Sequence, residues 1–422
     1  MFNIPAQNLI SHTRFDLIIK LLFAKSFLRG HKTKFYRDMY KHHLEIWNGF
    51  KEYNNNNKNT YKKFEECFID LIKDIEKNGF NKNISTVPVV DGKYILNGSH
   101  RVAAAIAHNE QVWCNEGLNG RDGQLNCNFS FFRELGLNET YMDQTAVEYC
   151  KLQSNTYVVC MFPIVNNKIT EAYNIINNIG NIFYTKQLTL NKTGAFNLMR
   201  ELYLGESWAG NHANNYAGYK EKANLCFPNY SPITAVLVNL NNLEEAKMLK
   251  ASLRGLFNVG NHCVHINDTH SQSVRISKTL FNKNSVHYLN NAIPTNYTLF
   301  NSCMNEYNAE INNKKLNIDD YCIGGSAPLA AYGLRECKDL DYLHFNENLI
   351  YGTRNLIHSH NEYGVGRYHL DREDIIYNPE NYFYHRGMKF AALDTVRRLK
   401  SKRNESKDVV DVELINKVLP NV

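Results

Sequence analysis

Two aspartates that follow a glycine-rich turn form the pattern with the clearest chemistry in this sequence. The turn is Gly324-Gly325-Ser326, and the carboxylates are Asp339 and Asp341. Backbone amides at a glycine turn that opens a helix can bind phosphate oxygens. Both aspartates would point the same way from a strand and could hold a divalent cation that neutralises phosphate charge. The pattern therefore predicts a phosphate and metal site, with a tight turn and two solvated aspartates as the alternative.

The order of glycine, serine, helix and Asp-x-Asp resembles the active-site signature of the polymerase-β-type nucleotidyltransferases. The resemblance implies that Asp339 and Asp341 bind Mg²⁺ or Mn²⁺ and act in catalysis. It also implies that Gly325 and Ser326 contact the phosphates of a nucleotide donor. A guanidinium group such as that of Arg335 would stabilise the negative charge of these phosphates. The motif is specific in order and spacing, but it covers only the last quarter of the chain.

The sequence departs from that family in the third metal ligand. In many nucleotidyltransferases, a third carboxylate on a later strand completes the metal set. No aspartate lies clearly on such a strand here, and the candidates for the role are Glu362, Asp371 and Glu373. Without a third carboxylate, the domain would bind a nucleotide or transfer a phosphate-bearing group without ordinary nucleotidyl transfer.

A second cluster lies far upstream, where an apolar hairpin precedes Gly98-Ser99-His100-Arg101 and an alanine-rich helix. Gly98 allows a sharp turn, Ser99 would cap the helix, and the next two residues would lie at its positive N-terminal end. The segment resembles the phosphate-binding motif of the ParB/sulfiredoxin fold, whose members bind ATP, ADP or CTP and include small-molecule kinases. The resemblance extends over roughly residues 60–115. The alternative is that His100 and Arg101 only pair with neighbouring carboxylates.

A third polar cluster runs from a predicted strand at His265 into a predicted helix at His270. His265, Asp268 and His270 include the residue types that a catalytic acid, a base or a metal ligand requires. If they converge, they would bind a phosphate or a metal. Helix capping by Asn267, Asp268 or Thr269 explains the same segment equally well.

The chain as a whole is mildly basic, with a net charge of +6 and 21% charged residues. Lysine and arginine are scattered, apart from a cluster between Arg397 and Arg403 that a solvated helix face explains. A dedicated DNA-binding protein usually concentrates its basic charge on one face or in a tail. The composition therefore favours small phosphate-bearing partners, and no DNA partner is expected.

The ten cysteines are widely separated, without a Cys-x-x-Cys pair or zinc-finger spacing. Free and mostly buried thiols in a reducing compartment are therefore expected. Arg14, Asp16 and Lys20 interrupt the N-terminal apolar run, so no signal peptide is predicted. No stretch has the length that a membrane span requires. We therefore expect a cytoplasmic protein without a membrane span.

Apolar residues at helical spacing alternate with short apolar runs, which predicts an α+β or α/β multidomain chain. Four segments are expected: a helical lead over residues 1–55, a ParB/sulfiredoxin-like domain over 56–165, a mixed α/β region over 166–300, and a nucleotidyltransferase-like domain over 301–422. Neither the oligomeric state nor the half that carries the reaction follows from the sequence.

Three functions are compatible with these motifs. The favoured one is a transferase that moves a nucleotidyl, phosphate or phosphoramidate group from ATP or a CTP- or CDP-linked donor to a sugar or polyol hydroxyl. The whole chain is similar to proteins of bacterial capsule and surface-polysaccharide biosynthesis, which implies such an acceptor. The second is a ParB/sulfiredoxin-type small-molecule kinase whose base is Glu65, Glu66 or Asp91. The third is a nucleotide-switched DNA-binding protein, although residues 115–165 show no helix-turn-helix pattern.

Overall fold

The computed structural model describes residues 1–52, 57–117, 126–361 and 370–419. Helices and short strands are mixed along these ranges, which confirms the mixed α/β class predicted from the sequence. Residue contacts divide the chain into two units. The N-terminal unit contains Met1–Leu152 and Asn181–Tyr184, and the C-terminal unit contains Gln153–Gly180 and Thr185–Val422.

The described part of the N-terminal unit consists mainly of helices next to a small sheet. Among its described residues the helices are α1 (Phe15–Leu28), α2 (Phe35–Asn48), α3 (Tyr61–Asn78), α4 (Ser99–Ala107), α5 (Phe129–Glu134) and α6 (Glu139–Leu152). The strands are β1 (Phe2–Pro5), β2 (Val87–Val90), β3 (Tyr94–Ile95) and β4 (Gln111–Glu116). A short 3₁₀ helix covers Ala6–Leu9.

The sheet of this unit has the strand order β1–β4–β2–β3. Strand β4 is antiparallel to β1 and parallel to β2, while β2 and β3 form a hairpin. The hairpin turn holds Asp91 and Gly92 at positive φ angles of 52° and 64°. Aspartate followed by glycine suits such a turn, since both residues tolerate the left-handed conformation. The hairpin leads directly to Gly98 and the start of α4.

Helix α1 forms the apolar centre of the N-terminal unit. Its side chains are buried on every face, from Phe15 through Leu21 to Ala24. A helix that is apolar all round is stable only where other elements surround it, and α1 packs against α2, α4 and α6. Asp16 and Lys20 are buried with it. Within the described ranges, no helix combines the length and the apolar content that crossing a bilayer demands.

The C-terminal unit contains the remaining elements, apart from the first residues of β6. Its described helices are α7 (Ile169–Ile179), α8 (Lys192–Leu202), α9 (Ala217–Cys226), α10 (Leu243–Phe257), α11 (His270–Leu280), α12 (Lys283–Asn291), α13 (Thr298–Asn313), α14 (Ala327–Ala331), α15 (Arg372–Tyr377), α16 (Leu393–Arg403) and α17 (Ser406–Asn416). Its strands are β5 (Thr156–Met161), β6 (Asn181–Leu188), β7 (Ile233–Asn239), β8 (Val264–Ile266), β9 (Tyr321–Ile323), β10 (Leu340–His344), β11 (Ile357–Ser359), β12 (Tyr382–His385) and β13 (Met388–Ala391). Short 3₁₀ helices cover Pro163–Lys168, Ser207–Ala209, His212–Asn214, Gly260–His262 and Ile318–Asp320.

The described residues of this unit form two sheets, and one of them has the strand order β6–β7–β5–β8. Strand β5 is antiparallel to both β7 and β8. Nearly every residue of β5 and β7 is buried, as expected for strands covered on both faces. Helix α11 packs against β5, and α10 packs against β8.

The other sheet has the strand order β11–β10–β9–β13–β12. Strand β10 is parallel to β11 and antiparallel to β9, while β9 is parallel to β13 and β13 is antiparallel to β12. Its central strand, β9, is buried at all three positions. Helices α13 and α15 contact β10, and α12 packs against β12. This mixed sheet positions Asp341, His358 and His385.

The two ends of the five-stranded sheet carry different side chains. Strand β9 leads into the turn at Gly324. Strand β10 is antiparallel to β9, so its first residues, next to Asp339, lie at the same end as Gly324. Strand β13 is parallel to β9, so the turn between β12 and β13, which contains Arg386, lies at the opposite end.

Candidate functional site

Strands β10 and β11 place an aspartate directly beside a histidine. The strands pair in parallel register, with Asp341 opposite His358. Side chains alternate along a strand, so Asp339 projects on the same side as Asp341. One ligand atom from each of Asp339, Asp341 and His358 lies within 4.8 Å of the others. The structure therefore brings the two predicted aspartates together and adds an imidazole.

Hydrogen bonds orient both histidines of the segment 358–360. Atom Nε2 of His358 lies 2.9 Å from the carbonyl oxygen of Asn355. Because a carbonyl oxygen only accepts, Nε2 carries a proton, and in the neutral ring Nδ1 then has the lone pair that a metal ligand needs. Atom Nε2 of His360 lies 2.9 Å from Oδ1 of Asp341. This second contact fixes the direction of the Asp341 carboxylate, as residues behind a metal ligand commonly do.

The glycine turn packs closely against Asp341. The backbone N–H of Gly324 donates to the carbonyl oxygen of Asp341 at 2.8 Å. Gly325 has a φ of +59°, and a Cβ atom at this position would lie 2.2 Å from Oδ2 of Asp341. Only glycine fits, because any side chain would be strained by the positive φ and would collide with the carboxylate. The turn thus limits where the Asp341 carboxylate can lie.

Ser326 lies directly before α14, but this helix is short. It contains only five residues, Ala327–Ala331, which is little more than one turn. The Ser326 side chain makes no capping hydrogen bond to it. A helix of this length has few aligned peptide dipoles with which to attract an anion. The phosphate contacts expected of Gly325 and Ser326 therefore stay predictions.

The charge of Asp341 opposes the ionisation of the neighbouring Asp339 carboxyl. Burial raises the pKa of Asp339, and the negative charge of Asp341 raises it further, while His358, His360 and Lys407 act in the opposite direction. Like charges at this separation are stable together when a cation neutralises them. The cluster can therefore hold a divalent cation through two carboxylate oxygens and one imidazole nitrogen.

Among the described residues, no third carboxylate joins Asp339 and Asp341 in a cluster that could hold a metal. Of the candidates from the sequence, Asp371 and Glu373 lie at the start of α15. Glu362 lies outside the described residues. The place beside Asp341 on the neighbouring strand belongs to His358, a residue to which the sequence interpretation gave no role.

Arg335 forms an ion pair elsewhere in the same unit. Its Nη2 donates to Oδ2 of Asp411 at 2.7 Å, and its Nε donates to the other carboxylate oxygen. Its Nη1 donates to the carbonyl oxygen of Glu336 at 2.9 Å. Lys400 contacts the same Asp411 carboxylate at 2.7 Å. Contact between Arg335 and a donor phosphate would require this pair to open, and it stays a prediction.

The side chain of Ser99, at the start of α4, has partners within the chain. Gly98 has a φ of +89° and precedes the helix as expected. The buried hydroxyl of Ser99 accepts a hydrogen bond from Nζ of Lys20 at 2.7 Å. Lys20 also lies 2.6 Å from Asp16, and Arg14 donates two hydrogen bonds to the same carboxylate. Ser99 is therefore tied to a buried charge network, and its contact with a phosphate stays a prediction.

His100 and Arg101 also have partners within the chain. The Tyr40 hydroxyl lies 2.9 Å from Nε2 of His100. Arg101 donates from Nη1 to the carbonyl oxygen of Thr86 at 2.8 Å, and its guanidinium lies over Gly98. Burial holds the pKa of His100 well below its usual value and also lowers that of Arg101. The partners are a hydroxyl and a carbonyl instead of the neighbouring carboxylates of the alternative interpretation, and the phosphate contacts stay predictions.

His265 and Asp268 lie in different environments. His265 is buried in β8, and its Nε2 has no hydrogen-bond partner among the described residues. Burial, with the positive charge of Lys250, lowers the pKa of His265 to about 3. Asp268 is exposed and lies 4.0 Å from Nζ of Lys250. Thr269 caps α11 through a reciprocal pair with Gln272, so the capping interpretation of this segment is confirmed.

The sequence did contain a signal for His358 and His360. Two histidines at alternate positions after the apolar Ile357 would share one face of a strand. What the sequence lacked was the identity of the neighbouring strand, which the register of Asp341 with His358 supplies.

Comparison with known proteins gives no relative from which a role could be transferred. No protein-family model, curated protein or solved structure matches this chain. The resemblances to nucleotidyltransferases and to the ParB/sulfiredoxin fold therefore stay predictions. The evidence for a functional site is the geometry of Asp339, Asp341 and His358 itself.

Proposed function

We propose that this chain is a divalent-cation-dependent transferase that moves a phosphate-containing group from a nucleotide donor to a hydroxyl group. The observation that supports this most strongly is the cluster of Asp339, Asp341 and His358, with one ligand atom from each within 4.8 Å. A cation held there would neutralise charge on the donor phosphates, which is the main requirement of phosphoryl and nucleotidyl transfer. The order of the Gly-Ser and Asp-x-Asp motifs supports the same class.

Each side chain of the cluster has a separate task in this proposal. Asp339 and Asp341 supply carboxylate oxygens, and His358 supplies Nδ1 because Asn355 holds its other nitrogen. His360 holds Oδ1 of Asp341 at 2.9 Å and so fixes the direction of Oδ2. Prior orientation matters, because ligands that need not reorganise bind the cation and position the donor more effectively.

The ligand types favour Mn²⁺ over Mg²⁺. Magnesium strongly prefers oxygen ligands and retains several waters, whereas imidazole nitrogen suits transition-metal ions. The nucleotidyltransferase resemblance implies either cation. The presence of His358 in place of a third carboxylate distinguishes between them.

The donor in this proposal is ATP or a CTP- or CDP-linked compound, and the acceptor is a hydroxyl of a sugar or polyol. The resemblance to proteins of capsule and surface-polysaccharide biosynthesis described from the sequence implies this choice. The net charge of +6 is also consistent with phosphate-bearing partners.

Calorimetric titration of Mn²⁺ into the cation-free protein tests the proposal. Asp339→Asn and His358→Ala should each weaken binding by roughly tenfold or more, because each removes a ligand. Asp70→Asn is the matched control, since it removes an exposed carboxylate from α3 in the other unit. Unchanged Mn²⁺ affinity in both cluster variants would show that the carboxylates are structural.

A thermal-shift screen then identifies the donor. The protein is heated with ATP, CTP and CDP-linked compounds, each with and without Mn²⁺, because a ligand of the native state raises the melting temperature. We expect a shift that requires Mn²⁺ and that disappears in Asp339→Asn. A nucleotide shift that is independent of both Mn²⁺ and Asp339 would place nucleotide binding elsewhere and contradict the proposed site.

A further inference from the structure

A cavity of about 360 Å³ opens in the C-terminal unit beside the turn between β12 and β13. Cationic, aromatic and amide side chains line it, together with a carboxylate and two imidazoles; among the lining residues are Arg200, Arg386, Tyr216, Asn301, Glu201 and His385. Its volume is within the range of small-molecule sites. The turn lies at the end of the five-stranded sheet opposite to Asp339 and Asp341. Neither these aspartates nor His358 lines the cavity.

Glu201 and His385 form a buried carboxylate–imidazole pair at the wall of this cavity. Nδ1 of His385 donates to Oε1 of Glu201 at 2.9 Å, and the Tyr288 hydroxyl lies 3.0 Å from the same nitrogen. Because Nδ1 carries the proton, Nε2 of the neutral ring keeps its lone pair. Within the described part of the chain, Nε2 has no hydrogen-bond partner, and the ring lines the cavity. His385 therefore presents an acceptor to a ligand.

Burial and neighbouring charges maintain this protonation state. Burial alone would raise the pKa of Glu201, but the hydrogen bond from His385 and the charges of His385, Arg275 and Arg386 lower it to about 2. Burial lowers the pKa of His385. The carboxylate is therefore ionised and the imidazole neutral near neutral pH. A carboxylate that orients a histidine in this way is a common arrangement for a proton acceptor.

The turn holds Arg386 in an unusual backbone conformation at the cavity wall. Its φ is +51°, followed by +80° at Gly387, and arginine is uncommon at such a position. The backbone N–H of Arg386 donates to Oε1 of Glu201 at 3.4 Å, which stabilises the turn. The side chain is half-buried and makes no hydrogen bond or ion pair within the described ranges. Strain of this kind is concentrated at functional positions.

A second guanidinium lines the same cavity. Arg200, near the end of α8, stacks over the ring of Tyr216 at 5.0 Å. Its only hydrogen bond among the described residues is from Nη1 to Asn197 at 3.2 Å. Among the described residues that line the cavity, two guanidinium groups with unused donors accompany one carboxylate, which His385 and Arg275 already engage. This imbalance favours an anionic ligand, because a guanidinium binds phosphate or carboxylate through paired hydrogen bonds.

Amide and phenol side chains complete the lining. Asn301 and Asn305 are one helical turn apart in α13, so they share a face of that helix. Tyr216 and Tyr219 add aromatic rings. Amides that donate and accept hydrogen bonds, next to aromatic rings, suit a compact ring that carries hydroxyl groups.

We propose that this cavity binds a small sugar-like molecule that carries one anionic group, either phosphate or carboxylate. Arg200 and Arg386 bind the anionic group, Asn301 and Asn305 bind hydroxyls, and Nε2 of His385 accepts a hydrogen bond from a hydroxyl. This second site goes beyond the proposed transferase activity and does not depend on the proposed cation site at Asp339, Asp341 and His358.

Calorimetric titration of glucose 1-phosphate and glucuronate into the full chain, in the presence of EDTA, tests this inference. We expect one of the two to bind at about millimolar concentration or below, while neutral glucose binds at least roughly tenfold more weakly. Arg386→Gly removes the guanidinium but keeps the turn, because glycine adopts positive φ freely. It should weaken binding by roughly tenfold while the melting temperature stays the same or rises.

The matched control is Arg398→Ala, which removes an exposed arginine from α16 and should leave binding unchanged. Asp339→Asn should also leave it unchanged, so failure of the metal proposal and failure of this one are distinguishable. The inference is overturned if neither anionic sugar binds at about millimolar concentration, or if Arg386→Gly and Arg398→Ala bind equally well.

Discussion

Asp341 and His358 are direct neighbours on two parallel strands, one in β10 and the other in β11. Neither side chain is in a loop that could bring it to its partner by local movement alone. Because side chains alternate along a strand, a shift of one residue in this pairing would turn His358 to the other face of the sheet. The proposed cation site therefore depends on strand register as much as on residue type.

Replacing His360 should test whether the orientation of Asp341 matters. His360→Ala removes the 2.9 Å contact with Oδ1 of Asp341 but leaves the three proposed cation ligands in place. We expect Mn²⁺ affinity, measured by calorimetry, to fall by roughly tenfold. His360→Gln can still donate a hydrogen bond and should recover most of the loss. Equal affinities for the two variants would mean that this contact does not position the carboxylate.

Gly325→Ala should destabilise the protein and abolish cation binding. The substitution places a Cβ atom where Oδ2 of Asp341 would be 2.2 Å away, at a φ of +59°. The control is Gly260→Ala, which has a similar φ of +65° but no atom within 4 Å of the added carbon. The control should lose about 1 kcal/mol in the free energy of unfolding. Denaturant titration should show a larger loss in the free energy of unfolding for Gly325→Ala. Equal losses in the two variants would mean that the added carbon does not collide with Asp341.

Asp16→Asn should be among the most destabilising substitutions in the N-terminal unit. Asp16 is buried between Arg14 and Lys20, and their charges hold its pKa well below the usual range even though burial acts in the opposite direction. Removing one member of a buried charge network leaves the others uncompensated, which costs about 3–5 kcal/mol. Urea unfolding should show this loss. Asp70→Asn, an exposed change on α3, should unfold like the wild type, and a similarly small effect of Asp16→Asn would contradict the prediction.

The stability of the N-terminal unit should depend on Glu148 at low pH. Burial would raise its pKa, but Lys151 and Lys25 lower it to about 2 from an ordinary value of 4.5. A lowered pKa in the folded state contributes stability above about pH 4.5, and this contribution is lost as the pH falls toward 2. Its size is at most about 3 kcal/mol.

Unfolding of Glu148→Gln over this pH range measures the contribution. The variant should be less stable than the wild type at pH 7, and the difference should shrink as the pH falls. Glu244→Gln is a suitable control, since Glu244 is 79% exposed in its pair with Lys247 and should show little difference at any pH. A constant difference between Glu148→Gln and the wild type would mean that the carboxylate does not titrate as inferred.

Local sequence patterns predicted the turns and strands better than they predicted which residues belong to the candidate site. The apolar hairpin before Gly98 and the shared side of Asp339 and Asp341 each depend on residues within one short segment, where backbone preference and strand alternation decide the outcome. His358 is different, because its role depends on which strand lies beside β10, and side-chain spacing says nothing about neighbouring strands.

The start of α4 is a second example in which the sequence does not show a contact between distant segments. Gly98 has the positive φ that the sequence indicates, but the prediction that Ser99 caps the helix is wrong, because Ser99 is the first residue of α4 and makes no capping hydrogen bond. The partner of its hydroxyl is Lys20, which comes from α1. In the sequence, Lys20 only interrupts the apolar run of α1. The packing of α1 against α4 shows that its charged group is directed inward. Glu201 and His385 were likewise invisible as a pair, because one lies in α8 and the other in β12.

The central position of β9 also has a consequence for synthesis of the chain. On the ribosome, β10 and β11, which bear Asp341 and His358, are made before β13, which covers the other edge of β9. Until Met388–Ala391 emerge, β9 has an unpaired edge of backbone groups, and such edges recruit other chains. A stop after β11 would therefore yield a fragment that contains Asp339, Asp341 and His358 but is expected to be prone to aggregation, so the proposed cation site requires complete translation.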